Sequence, residues 1–167
     1  SEVYSRPGSL PQIRAGTLMQ DLNRRDFTIN ALAISLHPSD WATCHDPAGG
    51  IEDIHQMRIR TLHDMSFRDD ATRILRAIRY ECRLGFHLSR ETLFRLKRDL
   101  HYLEAISPIR MYHEFLNLLG EPVGYQALRR ISQLGILSAI NNGLGQIIFT
   151  SRLRILLKKP YSPDFKL

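Results

Sequence analysis

The sequence predicts an α+β protein, with short antiparallel strands and helices over residues 1–63 and helices alone over residues 64–167. Two observations carry that division. Residues 33–37 (AISLH) and 58–62 (RIRTL) alternate apolar and polar side chains, the period of a half-buried strand. After residue 63 the apolar residues recur at helical spacing, with Ser, Pro and Gly at the expected starts and stops.

Taken in order, residues 1–20 are irregular, with Pro7-Gly8, Pro11 and Gly16 as turn signals. Residues 21–33 (DLNRRDFTINALA) are helical in part. The alternating segment 33–37 meets a turn at Pro38-Ser39-Asp40, and residues 41–45 return beside it as a hairpin. A loop, Asp46-Pro47-Ala48-Gly49-Gly50, precedes the short helical piece IEDIHQ, and residues 58–62 form a third strand. Residues 66–86 then read as one helix. Ser66 with Asp69 gives a capping-box-like start, Gly85 gives the stop, and Ile74, Leu75, Ile78 and Cys82 form one apolar stripe. Ser89 opens ETLFRLKRDL. Ser107-Pro108 opens IRMYHEFLNLL, which Gly120 closes. Pro122 at a first helical position opens VGYQALRRISQL, which Gly135 closes. A last helix is expected over residues 147–158.

Composition narrows the function classes. A chain of 167 residues with 43% hydrophobic residues can bury a real core, and 23 Lys+Arg against 17 Asp+Glu, net +6, suits a polyanionic partner. Cys44 and Cys82 lie far apart without a CxxC pattern, which indicates neither a disulfide framework nor a zinc site. No apolar run reaches membrane-spanning length and there is no signal peptide, so a cytoplasmic protein is expected. The first residues, SEVYSRPGSL, lack Met and lie in a polar stretch, as expected of a segment cut from a longer chain.

Two stretches concentrate chemistry. On the helix expected over 66–86, Asp69, Asp70, Arg73 and Arg76 share a face that is not the apolar stripe. They can be helix-stabilising ion pairs. They can equally read a base: the carboxylate accepts from an exocyclic amine while the Arg fork donates to a ring nitrogen or carbonyl. Cytosine and adenine present an amine beside an acceptor nitrogen, and guanine and uracil present the reverse, so such a pair favours C and A. In DLNRRDFTINALA, Arg25 and Asp26 lie at a helix start with Asn30 four residues on. Surface pairing is one reading; a seat for phosphate oxygens and a ribose hydroxyl is the other. Gly49 and Gly50 suit a hinge that Asp53 can tether. His45-Asp46 is formally a metal-ligating dipeptide, but Pro47 and the strand context argue against that role. No two carboxylates are separated by a single residue, the spacing that holds two metal ions for nucleotidyl transfer.

These stretches together resemble the class II tRNA nucleotidyltransferases and bacterial poly(A) polymerases, including CCA-adding enzymes. DLNRRDFTINALAI is similar to the family's ribose-recognising motif, DPAGGIEDI to its flexible motif, DDATRILRAIRYECRLGF to its base-templating helix, and SPIRMYHEF to the helical motif that follows. The resemblance implies that residues 1–63 are the second part of a nucleotidyltransferase head, 64–106 a helical neck and 107–167 part of an RNA-binding body. It implies a nucleotide site of Arg25, Asp26, Asn30, Asp69, Asp70, Arg73 and Arg76, with Asp70 and Arg73 reading the base and Asp69 steadying Arg73. Arg110 and Glu114 are expected at pairing distance. The basic residues Arg129, Arg130, Arg152, Arg154, Lys158 and Lys159 are expected on tRNA phosphates. ATP and CTP are the implied substrates and tRNA the acceptor, with Mg²⁺ held by an upstream segment that also brings the catalytic carboxylates. A poly(A) polymerase of the same family, and a non-enzymatic RNA-binding protein, are the alternatives.

Overall fold

The structure, a computed structural model, describes residues 2–3, 12–13, 16–141 and 143–144. β1 (Glu2–Val3) pairs antiparallel with β2 (Gln12–Ile13). Thr17 and Gln20 exchange side-chain-to-backbone hydrogen bonds in a capping box and so start α1 (Leu18–Asn23). A 3₁₀ turn, Thr28–Asn30, leads into the expected hairpin. It is shorter than the alternation suggests: β3 (Ala33–Ile34) opposes β4 (Cys44–His45) across a 3₁₀ turn at Pro38–Asp40.

The Gly-Gly loop is fixed by sterics and by a carboxylate. Gly49 takes a left-handed conformation, φ 72°, and Asp46 accepts from the N–H groups of Gly50 and Ile51 at 2.6 and 2.9 Å. That cap starts α2 (Gly50–His55), and the missing Cβ of Gly50 lets the helix lie against the Thr28 carbonyl. Asp53, fully buried on α2, accepts from Thr28 Oγ1 at 2.5 Å, Arg58 Nε at 2.6 Å and Arg60 Nε at 2.8 Å. A buried carboxylate needs such a set of donors, and this one ties α2 to the 3₁₀ turn and to β5 (Arg58–Ile59).

Beyond residue 63 the structure departs from the sequence reading in three places. The single helix over 66–86 is two, α3 (Ser66–Asp69) and α4 (Thr72–Leu84), because Asp70 is extended at φ −147°, ψ 103°. Its carboxylate accepts from the Thr72 N–H at 3.1 Å and the Thr72 hydroxyl at 2.8 Å, so a local side-chain bond competes with helix continuation and restarts the helix. Ser66 caps nothing; its hydroxyl is buried and accepts from Arg73. Second, the region is not all helical. After Gly85 closes α4 at φ 67°, β6 (His87–Leu88) runs parallel to β5, with Arg58 opposite His87. Two residues between two helices are too few to show a strand period. Third, Pro122 lies two residues ahead of α7 (Gly124–Gln133), in the preceding turn and not at a first helical position.

Of the remaining helices the next two start and stop as expected, and the last, over 136–140, was not foreseen. Ser89 caps α5 (Arg90–Arg98) through the Thr92 N–H, and a 3₁₀ stretch, Leu100–Ala105, follows. Ser107-Pro108 open α6 (Pro108–Leu119), and Gly135, at φ 75°, passes the chain from α7 into α8 (Ile136–Ile140). The helix expected over 147–158 lies outside the described residues. One buried cluster joins Phe27 and Ile59 of the strand-bearing segment to Phe67, Ile74, Leu75 and Ile78, and onward to Leu118, Ile131 and Ile136. The stripe foreseen for α4 is its centre: Ile74, Leu75 and Ile78 are at most 1% exposed and Cys82 packs at its edge.

Gly50→Ala should lower stability by about 3 kcal/mol, the upper end of overpacking costs, because the new Cβ meets a backbone carbonyl. Gly85→Ala meets open space and should lose about 1 kcal/mol to its left-handed backbone. Urea midpoints of the two variants measure the difference, and equal losses would mean that α2 shifts freely on the Thr28 turn.

Candidate functional site

An open cleft of about 540 Å³ lies where the segment around residues 24–30 meets α4 and α6. Its floor is set by hydrogen bonds that span the sequence. Asp26, 7% exposed, accepts at Oδ1 from the Phe27 N–H and the Asn30 amide, both at 2.9 Å. Its Oδ2 accepts from Arg76 Nε at 2.8 Å and Nη2 at 2.6 Å. Arg76 also donates to the Tyr80 hydroxyl at 3.3 Å, and Tyr80 meets Phe27 edge-on at 5.9 Å between ring centres. The Arg76 side chain keeps 31% of its surface exposed, so its guanidinium is presented to the cleft as well as to Asp26.

The two residues expected to read a base together do not pair with each other. Arg73, 6% exposed, donates to the Ser66 hydroxyl at 2.9 Å, the Ser66 carbonyl at 3.3 Å and the Arg24 carbonyl at 2.8 Å. Asp70 is bound by Thr72 at Oδ1 and by Arg110 at Oδ2, 2.8 Å away. With about four lone-pair sites and three donors, Asp70, which lines the cleft, retains one acceptor position, whereas the four sites of Asp26 are filled. Asp69 lies apart from the cleft: its carboxylate is 3.6 Å from His63, and it does not contact Arg73.

Of the seven expected nucleotide-site residues, Arg25, Asp26, Asn30, Asp70, Arg73 and Arg76 line the cleft. The sequence reading left out Arg24, Thr72, Tyr80, Arg110 and Glu114, which line it too. Tyr80 stands four residues after Arg76, a spacing that marks it as a neighbour on the same helix face. Arg110 and Glu114 were visible in SPIRMYHEF but had no local cue that would turn them toward Asp70. Five arginines and three carboxylates make the lining cationic, a match for a polyphosphate. The exposed guanidiniums of Arg24 and Arg25, both bonded to Asp21, stand at one side of it.

Glu114 is the exception among the carboxylates. Its Oε2 is buried without a hydrogen-bond partner, and burial pushes its carboxyl above the ordinary range, with Arg76 and Arg79 only partly opposing the rise. Among the described residues no cluster of His, Cys, Asp or Glu could hold a metal ion. Asp26 does not fit Mg²⁺ either, since its oxygens are already bonded to N–H donors.

Away from the cleft, Arg130 donates to Glu81 at 2.8 and 3.2 Å, and exposed Arg129 borders a second cavity of about 360 Å³ with Glu81, Cys82 and Phe86. Burial pushes the Cys82 thiol up to about 11, which keeps it protonated. Arg152, Arg154, Lys158 and Lys159 lie outside the described residues.

The chain is similar to known proteins. The family model described as "Poly A polymerase head domain" matches residues 2–60, and that described as "Probable RNA and SrmB-binding site of polymerase A" matches residues 85–146. The A-adding tRNA nucleotidyltransferase of Geobacter sulfurreducens is 38% identical over 157 residues, which cover 93% of this chain and 18% of that protein. The CC-adding tRNA nucleotidyltransferase of Deinococcus radiodurans is 39% identical over 134 residues, covering 80% of this chain and 35% of that one. A CCA-adding enzyme solved as a complex with ATP superposes with a TM-score of 0.73 at 39% identity, over 79% of this chain and 31% of its own. The chain thus spans about a fifth to a third of the length of these relatives.

Because the folded state holds the Glu114 proton more tightly than the unfolded chain does, stability is lost as pH rises through the folded-state value. Glu114→Gln should therefore match the wild type near about pH 4, the ordinary carboxylate range, and be more stable at neutral pH. Urea denaturation at both pH values measures the gap, and a gap that does not widen with pH would show that Glu114 is ionised at no cost.

Proposed function

The chain belongs to the family of the tRNA nucleotidyltransferases and poly(A) polymerases, and from that premise we propose that its cleft selects the nucleotide for 3′-end addition to tRNA. In this reading a nucleoside triphosphate enters between the segment around Asp26 and helices α4 and α6. The guanidiniums of Arg24, Arg25 and Arg76 take phosphate oxygens, and the open acceptor site of Asp70 takes the exocyclic amine of C or A. Asn30 and Asp26 stand where a ribose hydroxyl would displace or share one of their mutual bonds. Arg129 and Arg130, with the basic residues over 152–159, contact tRNA phosphates, whereas the expected hinge at Gly49-Gly50 finds no support, because Asp46 and the Thr28 backbone pin that loop.

One observation carries the reading. Six of the seven residues that the motifs single out, drawn from two stretches about forty residues apart, converge on a single cationic cleft. The transfer itself, from CTP or ATP to the 3′-hydroxyl of tRNA, requires Mg²⁺. The sequence has no carboxylate-x-carboxylate spacing and its described residues hold no metal-binding cluster, which supports a metal-bearing segment outside these 167 residues.

Asp70→Asn separates the base-reading role from the structural one. Asn still caps the start of α4, but it offers a donor as well as an acceptor. In a protein that includes the metal-bearing segment, the preference for C and A over G and U should fall about tenfold to a hundredfold, the range for a mispaired buried polar group. Incorporation from each single triphosphate into tRNA lacking its 3′ end measures it, and an unchanged preference would remove Asp70 from base reading. The 167-residue chain by itself should bind ATP and CTP yet extend no tRNA at any Mg²⁺ concentration. Extension by that chain alone would mean that it holds its own metal.

A further inference from the structure

Helix α5 carries an aromatic side chain on its solvent face. Phe94 is 66% exposed, while Thr92 and Leu96 on the other side of the helix are fully buried. Arg90, Phe94 and Lys97 follow one another at intervals of four and three residues, so they lie along one line of the helix surface. His101, four residues further, continues the line into the 3₁₀ stretch and is exposed.

The cations of this helix fall into two groups. Arg95 and Arg98 are engaged, both with Asp64 (3.3 and 3.0 Å) and Arg98 also with Asp99 at 2.7 Å. Arg90 and Lys97 are exposed and make no ion pair among the described residues. Glu91, the one carboxylate on α5, lies at the helix start, one residue off this line. A single exposed apolar residue needs no explanation. An exposed Phe between two unpaired cations, with the nearest acid on the line, Glu104, beyond His101, has the composition of a single-strand nucleic-acid surface.

We propose that this face of α5 is a stacking platform for an unpaired base of RNA, with Arg90 and Lys97 on the phosphates to either side. At about 1.5 Å per residue the two cations stand about 6 and about 4.5 Å along the helix from Phe94, within reach of the backbone of a nucleotide stacked on the ring. RNA is favoured as the occupant by charge complementarity: the line presents two free positive charges and a π-face, which a strand of stacked bases and phosphates matches and an acidic protein surface matches only in charge. The proposal rests on the reading of the chain as part of an RNA-acting enzyme, and it concerns a surface separate from the nucleotide cleft.

The test uses the full chain with a short single-stranded oligoribonucleotide and a blunt RNA duplex of equal length, by fluorescence anisotropy over a range of salt. Phe94→Ala and Phe94→Leu should each weaken single-strand binding about tenfold to a hundredfold, the worth of one stacked base. Duplex binding and the salt dependence should not change in either variant. Arg90→Ala and Lys97→Ala should each reduce the slope of log K against log salt by about 0.7, as for one lost single-strand phosphate contact. Wild-type affinity in Phe94→Leu would overturn the platform and identify the residue as apolar cover for a protein surface. Equal losses on strand and duplex would also overturn it. ATP binding, measured on the same samples, should be unaffected. A wild-type chain that binds ATP but not the single strand refutes this surface and leaves the cleft standing. One that binds the strand through Phe94 but not ATP does the reverse.

Discussion

The arrangement depends on two arginines of α4 that reach back about fifty residues along the chain. Arg73 donates to the Arg24 carbonyl and Arg76 to the Asp26 carboxylate, so successive turns of one helix grip successive parts of one irregular segment. Neither anchor point lies in a regular element. Without these bonds the backbone between α1 and the Thr28–Asn30 turn would have no partner for the Arg24 carbonyl and no counter-charge for Asp26, both costly to bury. The cleft exists because this grip holds the segment at the mouth of the helices and does not let it collapse onto them.

The interruption at Asp70 has the same logic. Had residues 66–86 remained one helix, Asp70 and Arg73 would have been neighbours on its surface and would have satisfied each other. The break turns the Asp70 carboxylate toward Thr72 and Arg110, and it frees Arg73 to enter the core, where Ser66 and the Arg24 carbonyl receive it. A local pair worth a few tenths of a kcal/mol is replaced by charge-assisted bonds in a partly buried setting, each worth more. The consequence for the cleft is an Asp with an acceptor site to spare beside an Arg whose donors are committed.

The buried acids show how differently the fold treats similar groups. Asp53 is enclosed by Thr28, Arg58 and Arg60 and serves as a rivet between α2, the 3₁₀ turn and β5. Glu114 lies among guanidiniums but leaves one oxygen unmet at the edge of the cleft. A saturated carboxylate is structural by its geometry, and an unsaturated one beside an open site is poised to respond to what enters.

The sequence by itself determined the features that local rules reach. The hairpin around Pro38-Ser39-Asp40, the apolar stripe of Ile74, Leu75 and Ile78, the caps at Ser89 and Gly85, and the Asp26–Asn30 contact are all set within a few residues. Hydrogen bonding, periodicity and backbone freedom act at that range. The order of the motifs likewise marked six residues that line one cleft. Tertiary structure alone decided their partners. Arg76 bonds Asp26 across 50 residues and Arg110 bonds Asp70 across 40, whereas Asp69, placed in the site by analogy, faces His63 instead. The parallel pairing of Arg58–Ile59 with His87–Leu88 was equally invisible, since two residues carry no period. The physical reason is common to all of these. A buried charge takes whichever donor the packed chain brings within about 3 Å, and no spacing in the sequence records that choice.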